Sequence, residues 1–381
     1  MTRAADLLRT SRFQVFVICL IGLALRLGLD AKLAPLPWPD SRDYLAAGRD
    51  LLHSGQMTSN IRMPLYPLFL AGIGPHYVIF VQALLSTATA VIAYYLAREI
   101  FQSSLAASLA GLLGAFDPVA IFYADQRLSE TLFIFLFLLS LLTFYRHMYV
   151  AGSIAFVLSL LVRPTFDLLA IPLIVAFVWL KKDSIRSLSL PARFWRHVAK
   201  CVAIYIAIYV VLMSPWWWHN YEKYGTFVRL DLADGIMARI EQSPQFARYG
   251  FNWQKLRPIT NAMDNVKDPV QRDAQLRDTA IAYVRQHPIQ YVKLCVYRFG
   301  RFWSPVIDQD SHFAPGKVRD AAFAMTVLLY ALSLFTLAAA RKPELRKLLP
   351  LLLVIVYLMT VNILTQALPR YRVPIEPLLY V

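Results

Sequence analysis

Charged side chains stand where apolar runs of this sequence begin or end, and they are its candidates for chemistry. Asp40 and Asp43 follow the first apolar run, Arg62 precedes the second, and Glu130 opens a later one. A carboxylate can accept a proton from a hydroxyl group, and an arginine can bind an anion through its paired N–H groups. Acids held beside cations next to apolar segments therefore indicate more than simple connecting loops.

Both leading acids also have a purely structural interpretation. Asp40 follows a proline and precedes a helical pattern, so it suits the N-cap of an amphipathic helix lying on a membrane. Glu130 stands at a helix start, where a carboxylate favours the positive end of the helix dipole. The structural and functional interpretations stay open for both acids, whereas Asp117 is interpreted as part of a solvated turn.

Other kinds of site leave no pattern in the sequence. No spacing of His, Cys and Glu suggests zinc, no glycine-rich loop suggests a nucleotide site, and no Ser–His–Asp set suggests acyl transfer. The sequence therefore implies no metal and no other cofactor. We expect a chelator to leave activity unchanged, and loss of activity in its presence would contradict this.

Composition places these residues in a membrane protein. Of the 381 residues, 58% are hydrophobic and 17% are charged, whereas soluble domains carry about 25% charged residues. The 13% aromatic content argues against disorder, and three cysteines cannot form a disulfide framework. The net charge of +15 is attributed to cytoplasmic loops, which are rich in Lys and Arg, and nucleic acid is not an expected partner.

Nine apolar runs predict an all-α polytopic membrane protein with about nine to ten spans. From a cytoplasmic N-terminus, alternation of the runs places most Lys and Arg clusters inside and two polar segments, 30–76 and 215–319, outside. The predicted organisation is a transmembrane module over 1–214, an outer-face segment over 215–319 and transmembrane helices over 320–381. The apolar runs are 13–29, 77–97, 105–123, 129–145, 149–162, 166–180, 201–213, 320–340 and 348–365.

The second outer segment contains helix signals and an aromatic belt. Asp268 and Pro269 are predicted to open a helix that stops at Pro288, and a second helix, "IQYVKLCVYRFGRFW", has a basic and an apolar face typical of an interfacial helix. The run "SPWWWHNYEKYGTF" predicts aromatic anchors at the membrane surface. The last residues, "RYRVPIEPLLYV", are too few to span, so they are expected either to lie at the interface or to begin a helix that the chain lacks.

The order of six motifs resembles the GT-C glycosyltransferases, in particular the bacterial branch of protein O-mannosyltransferases and lipid A aminoarabinose transferases. The motifs are "PDSRDYLAAGRDLLHSG", "RMPLYPLFLA", "LSETLFIFL", "SPWWWHNYEKYGTF", "YVRQHPIQYVKLCVYRFGRFW" and "RYRVPIEPLL". Two positions depart from the family pattern. Asp40-Ser41 stands where many relatives have Asp-Glu, and His219 stands where Arg is common.

The resemblance implies a GT-C-type helix bundle with juxtamembrane amphipathic helices and a cavity on its outer face. It implies transfer of a sugar from a polyprenyl-phosphate donor to a hydroxyl of a lipid, glycan or protein, usually with inversion. It also places the protein among the lipids of a bacterial cytoplasmic membrane, with the active site on the periplasmic face.

Residue by residue, the resemblance makes Asp40 the catalytic base and Glu130 a group that positions the surroundings of Asp40 or the sugar. Arg62 and Arg370 are the leading candidates to hold the departing phosphate, because both stand in matched motifs at membrane entry points. The remaining predicted substrate contacts are Asp43, Tyr66, Asp125, Arg127, His219, Lys293, Arg298, Arg301 and Arg372.

Two other functions stay open. A flippase or transporter for a polyprenyl-linked lipid would use similar cations, but it would place ionisable groups in broken helices near the middle of the membrane. Here the acids gather at helix ends beside a large outer segment, which favours the enzyme. A non-catalytic protein that binds a polyprenyl lipid within a glycan assembly complex would differ from the enzyme only in activity.

Overall fold

The computed structural model of the protein describes residues 2–30, 38–75, 77–181, 191–233, 266–305 and 316–381. All regular structure within these ranges is helical. The α-helices are α1 (Thr2–Asp30), α2 (Pro39–Ser54), α3 (Leu65–Ile73), α4 (Val78–Phe101), α5 (Ser104–Phe116), α6 (Pro118–Ala124), α7 (Glu130–Tyr145), α8 (Tyr149–Val162), α9 (Ala170–Lys181), α10 (Pro191–Tyr224), α11 (Pro269–Gln286), α12 (Pro288–Phe302), α13 (Gly316–Ala339), α14 (Lys342–Leu364) and α15 (Glu376–Leu379). Short 3₁₀ helices, Pro164–Leu169 and Pro369–Ile375, precede α9 and α15.

Six helical segments of the described chain are long and apolar enough to cross a membrane by length and composition. They lie in α1, α4, α9 with its preceding 3₁₀ helix, α10, α13 and α14. The bent pair α5–α6, with an angle of 50°, adds a seventh if it forms one span, and α7 and α8 are apolar but shorter. The all-helical polytopic fold is thus confirmed, and every predicted apolar run falls on helix. The described chain has fewer full-length spans than the nine to ten predicted.

Contacts between helix ends agree with the predicted alternation of the runs. At one end of the bundle, Arg146 Nε donates to Glu99 Oε1 at 2.9 Å, and Lys347 Nζ donates to the Glu99 carbonyl at 3.2 Å. Arg346 donates to the Trp179 carbonyl at the same end. The predicted alternation places these positions on one side of the membrane and the candidate acids on the other. Which side is cytoplasmic stays a prediction.

The arginine inside the first span ties three helices together. Arg26 is 2% exposed, and its Nε donates to Ser86 Oγ of α4 at 2.8 Å. Its two terminal nitrogens donate to the carbonyls of Gly114 and Ala115 of α5, each at 3.1 Å. A charge is tolerated among apolar helices when its donors are satisfied in this way. This residue therefore has a structural explanation.

The C-terminal segment packs inside the bundle. This differs from a position at the interface, which is one of the two alternatives that the sequence predicts. Arg372 donates from Nε and Nη2 to Glu376 Oε1 at 3.2 and 3.0 Å, and the Tyr380 hydroxyl donates to Asp117. Asp117 is 1% exposed and also caps α6 by accepting from the Val119 amide. It is a buried cap, so its interpretation as a solvated turn is wrong.

Helices α2 and α3 pack closely, because Gly48 leaves room for the chain at Pro67. A Cβ atom at Gly48 would lie 2.7 Å from the Pro67 carbonyl oxygen, which belongs to the backbone and cannot rotate away.

We therefore expect Gly48→Ala to lower the unfolding free energy by about 1–3 kcal/mol, the usual cost of overpacking. Thermal unfolding of the purified protein in detergent measures the effect. Gly72→Ala on α3 is the matched control, because a Cβ there meets nothing within 4 Å. Equal melting temperatures for the two variants would contradict the close-packing explanation.

Candidate active site

Asp40 lies in the first turn of α2 and is held by two arginines. Trp38 occupies the N-cap position and no side chain caps the helix, so the interpretation of Asp40 as an N-cap is wrong. Arg62 Nη2 donates to Asp40 Oδ1 at 2.7 Å, and Arg370 Nη1 donates to Asp40 Oδ2 at 2.9 Å. The Asp40 side chain is 28% exposed. Both carboxylate oxygens are therefore paired while the group still contacts solvent.

Glu130 is the buried counterpart of Asp40. It is fully buried at the start of α7, where Arg370 Nε donates to its Oε1 at 2.6 Å. Arg163 Nη1 lies 3.3 Å from the same oxygen. Arg370 thus bridges the two candidate acids, and the short 3₁₀ helix after α14 brings it there from the far end of the sequence.

Arg62 is fixed by a carboxylate, an aromatic ring and a supported loop. Its Nε donates to Asp43 Oδ2 at 2.6 Å, and its guanidinium lies 4.6 Å from the centre of the Tyr44 ring. The loop before it is held by the end of α10, where Lys223 Nζ donates to the Met57 carbonyl at 2.6 Å. The predicted first outer loop and the aromatic exit of α10 therefore meet at the site.

The cluster formed by Asp40, Asp43, Arg62, Glu130, Arg163 and Arg370 holds three carboxylates and three guanidinium groups. Burial by itself would raise the pKa of the Asp40 carboxyl, but the positive charges of Arg370 and Arg62 outweigh it and hold that pKa well below its usual range. Burial likewise opposes the charge of Arg370, yet Glu130 and Asp40 raise its pKa. The Asp40–Arg370 pair is therefore ionised at neutral pH.

A cavity of about 530 Å³ opens beside the cluster, a volume in the range of small-molecule sites. Arg62, Arg163 and Tyr44 line it directly. Two buried atoms of the cluster, Glu130 Oε2 and Arg370 Nη2, have no hydrogen-bond partner among the described residues. Further lining residues are Met63, Thr165, Asp231, Arg277, Asn362, Thr365, Gln366 and Tyr371.

Two predicted phosphate contacts, Arg298 and Arg372, lie outside the cluster and contact acceptors inside the protein. Arg298 is 1% exposed and donates to the carbonyls of Ile363 and Leu364 at 3.4 and 3.2 Å, at the end of α14. Arg372 is fully buried, and besides Glu376 it donates to the Phe302 carbonyl at 3.1 Å. Both guanidinium groups satisfy backbone or carboxylate acceptors inside the protein.

Tyr66 and Asp125, which are also predicted substrate contacts, lie in the interior. The Tyr66 ring is fully buried, and its hydroxyl donates to Gln82 Oε1 at 2.8 Å. Asp125 is 2% exposed and accepts from Gln126 Nε2 at 3.2 Å. Tyr66 joins α3 to α4, the Asp125 contact lies within the turn before α7, and neither residue lines the large cavity.

The other predicted contacts lie at the edges of the site or away from it. Arg127 donates to the Pro75 carbonyl at 3.1 Å, while its own carbonyl accepts from Ser41 Oγ at 2.9 Å. Ser41, which departs from the family pattern, therefore joins α2 to the turn before α7. On α12, Lys293 is exposed and Arg301 donates to the Tyr297 hydroxyl at 3.2 Å.

His219 lies in a second, separate cavity of about 300 Å³, between α2, α3 and α10. Its ring stacks on Trp216, with the ring centres 5.1 Å apart. Trp216 is itself buried and donates to the Leu230 carbonyl at 2.8 Å, whereas Trp218 is 66% exposed. Of the three predicted anchors, Trp218 has the exposure that an anchor needs, and Trp216 is a packing residue.

Sequence reasoning missed several residues that the fold brings to the cavity. Arg163 belongs to the cluster, the Tyr44 ring contacts Arg62, and Arg277, Asn362 and Gln366 line the cavity. Arg163 did carry a signal, because a cation between an apolar run and a proline marks a helix end at the predicted outer face.

Among the described residues, no three His, Cys, Asp or Glu side chains are arranged to hold a metal ion.

Comparison with known proteins gives one structural likeness to report. No family model matches the sequence, and no curated protein matches it. Among solved structures, the chain is similar to ArnT from Cupriavidus metallidurans bound to undecaprenyl phosphate, with 15% sequence identity and a TM-score of 0.41. The likeness covers 99% of this chain and 77% of that chain. A likeness at this identity and TM-score does not indicate a function for this chain.

Proposed function

We propose that the protein is a GT-C-type membrane glycosyltransferase that moves a sugar from a polyprenyl-phosphate donor to an acceptor hydroxyl, with inversion. The observation that carries the proposal is the six-residue cluster at the edge of the large cavity. It combines a solvent-contacting carboxylate with arginines that face a space large enough for a ligand. The proposed place of reaction is the outer face of a bacterial cytoplasmic membrane.

The arginines suit the departing phosphate. Glycosyl transfer of this kind breaks the bond between the anomeric carbon and a phosphate oxygen, and the phosphate leaves with the electron pair. Guanidinium groups that are already fixed stabilise such a charge without reorganisation. Arg62 and Arg163 face the cavity, and Arg370 retains a buried N–H donor, Nη2, without a partner among the described residues.

Asp40 suits the proton of the acceptor, provided that its ion pairs loosen. As the acceptor oxygen bonds to the anomeric carbon, its proton passes to the carboxylate. A carboxylate with a strongly lowered pKa is a poor base near neutral pH. An incoming donor phosphate competes with Asp40 for Arg62 and Arg370, and loss of either ion pair raises the pKa of Asp40. Donor binding would thereby activate the base.

Glu130 suits a positioning role. Its Oε1 contacts both Arg370 and Arg163, and the side chain is completely buried at the start of α7. A buried carboxylate that contacts two arginines fixes their direction and offsets their charge before the substrate arrives. In the proposed reaction Glu130 therefore orients the phosphate-binding groups, while Asp40 takes the proton.

The second candidate is a non-catalytic protein that binds a polyprenyl phosphate. It is favoured by the pairing of both Asp40 oxygens with arginines, which lowers the pKa of the carboxyl and makes it a weak base. Such a protein would bind the phosphate without transferring the sugar.

Activity separates the two candidates. Purified full-length protein in nanodiscs is incubated with a panel of polyprenyl-phosphate sugars and a membrane extract, and products are identified by mass spectrometry. We expect sugar transfer by the wild type and a loss of at least about 100-fold for Asp40→Asn. Asp278→Asn, at an exposed carboxylate on α11, is the control that should keep full activity. Donor binding without transfer or hydrolysis would favour the second candidate.

A further inference from the structure

We infer that the C-terminal end of α14 is the sugar-recognising wall of the large cavity, and that Gln366 binds a hydroxyl group of the transferred sugar. The inference rests on the proposed function and deepens it, because it divides the cavity into a phosphate side and a sugar side. Asn362, Thr365 and Gln366 come from this one stretch of chain, and all three line the cavity that Arg62 and Arg163 also line.

The amide of Gln366 has an unused donor. Its Nε2 is buried from solvent and has no hydrogen-bond partner among the described residues. Buried donors in native proteins are nearly always paired, and an unpaired one costs about 1–3 kcal/mol. Asn362, 6% exposed, donates from Nδ2 to the Leu358 carbonyl at 2.8 Å, which leaves its amide oxygen as an acceptor. The wall thus offers a donor and an acceptor.

The chemistry of this wall fits a neutral, hydroxyl-bearing group. Asn362, Thr365 and Gln366 carry amides and a hydroxyl but no charge. The cations that line the cavity are Arg62, Arg163 and Arg277, which come from other elements. A sugar hydroxyl both donates and accepts, as an amide does, whereas a phosphate is drawn to guanidinium groups. The two parts of a glycosyl phosphate therefore match different walls.

The end of α14 is held rigidly enough to recognise a ligand. The last carbonyls of a helix lack partners within the helix, and α12 supplies them here. The Tyr291 hydroxyl donates to the Leu364 carbonyl at 2.8 Å, and Arg298 donates to Leu364 and Ile363. A site on supported elements keeps its geometry better than one on a free loop. Arg298 thus supports the sugar wall instead of binding phosphate.

The test compares ligands that differ only in the sugar. Affinities of full-length protein in nanodiscs are measured for undecaprenyl phosphate and for undecaprenyl phosphate carrying glucose, mannose or arabinose. We expect at least one glycosylated lipid to bind more tightly than undecaprenyl phosphate. Gln366→Met, which keeps the size and removes the amide, should weaken that glycosylated lipid by about 5–20-fold and change undecaprenyl phosphate by less than about twofold.

Gln366→Leu is the second variant, since it also removes the amide and adds no charge, and it should show the same selective loss. Gln275→Met, at an exposed position on α11, should change neither affinity. An equal loss for both kinds of lipid, or no loss for the glycosylated one, would overturn the inference. Binding of undecaprenyl phosphate without any gain from a sugar would also overturn it while leaving the phosphate site intact. Failure of the wild type to bind undecaprenyl phosphate would reject the proposed function itself.

Discussion

Arg370→Ala is expected to lower the unfolding free energy by about 3–5 kcal/mol, the usual cost of removing one partner of a buried ion pair. The change removes the bridge between Asp40 and Glu130, and it leaves Glu130 fully buried with Arg163 as its remaining cation at 3.3 Å. Sugar transfer is expected to fall at least about 100-fold, because a group that would hold the departing phosphate is lost. Thermal unfolding and the transfer assay measure the two effects separately.

Two further substitutions distinguish the roles of charge and geometry. Arg370→Lys keeps the positive charge but cannot contact two carboxylates in the fork geometry of a guanidinium, so it should recover part of the stability and little of the activity. Arg372→Lys changes a fully buried arginine that contacts Glu376 and lies outside the cluster. It should lower stability while the folded fraction keeps its affinity for polyprenyl phosphate. Wild-type transfer by Arg370→Ala would refute the assigned role of Arg370.

Arg62→Gln is expected to make stability less dependent on pH in the acid range. In the wild type, Arg370 and Arg62 hold the folded-state pKa of Asp40 below its unfolded value of about 3.9. The stabilisation from these ion pairs is therefore present above that unfolded value and is lost as the pH falls through the folded-state pKa. Removing the charge of Arg62 raises the folded-state pKa of Asp40 towards its unfolded value, so the variant has less of this stabilisation to lose and its loss is complete at a higher pH.

Melting temperatures of wild type and Arg62→Gln between about pH 3 and pH 7 measure this effect. The variant should be less stable by about 1.5–3 kcal/mol near neutral pH, the range for hydrogen bonds to charged groups, and the difference should shrink as Asp40 becomes protonated. Arg49→Gln is the control on α2, because Arg49 is exposed and donates to the Leu45 carbonyl of its own helix. A stability difference that stays constant with pH would contradict the assigned coupling of Arg62 to Asp40.

Sequence patterns located the helices well because hydrophobic periodicity and length are local properties. Each predicted apolar run falls on helix, and the predicted start at Asp268 is confirmed by its bond to the Val270 amide. Within the described residues, fewer of these runs form full-length spans than the nine to ten predicted. The 105–123 run is bent by 50°, and α7 and α8 have 16 and 14 residues, whereas a span needs about 20.

Sequence reasoning selected charged side chains that the fold gathers in one cluster, but it could not separate binding from support. Arg62, Arg370 and Arg372 all looked like phosphate ligands beside the membrane. The fold pairs Arg62 and Arg370 with Asp40, and it turns Arg372 inward to Glu376. Arg298 likewise went to the carbonyls at the end of α14. An arginine has five donors, and which acceptors they meet depends on neighbours distant in sequence.

The sequence by itself determined that this is an all-helical membrane protein with acids and cations at the ends of its apolar runs, since composition and periodicity are properties of neighbouring residues. Only the tertiary structure decided which of those charges share one site. The Asp40–Arg370 contact joins residues 330 positions apart, and the Glu130–Arg370 contact joins residues 240 apart. Such pairs form because buried charges must be compensated wherever the packed helices bring them, and no local pattern records that choice.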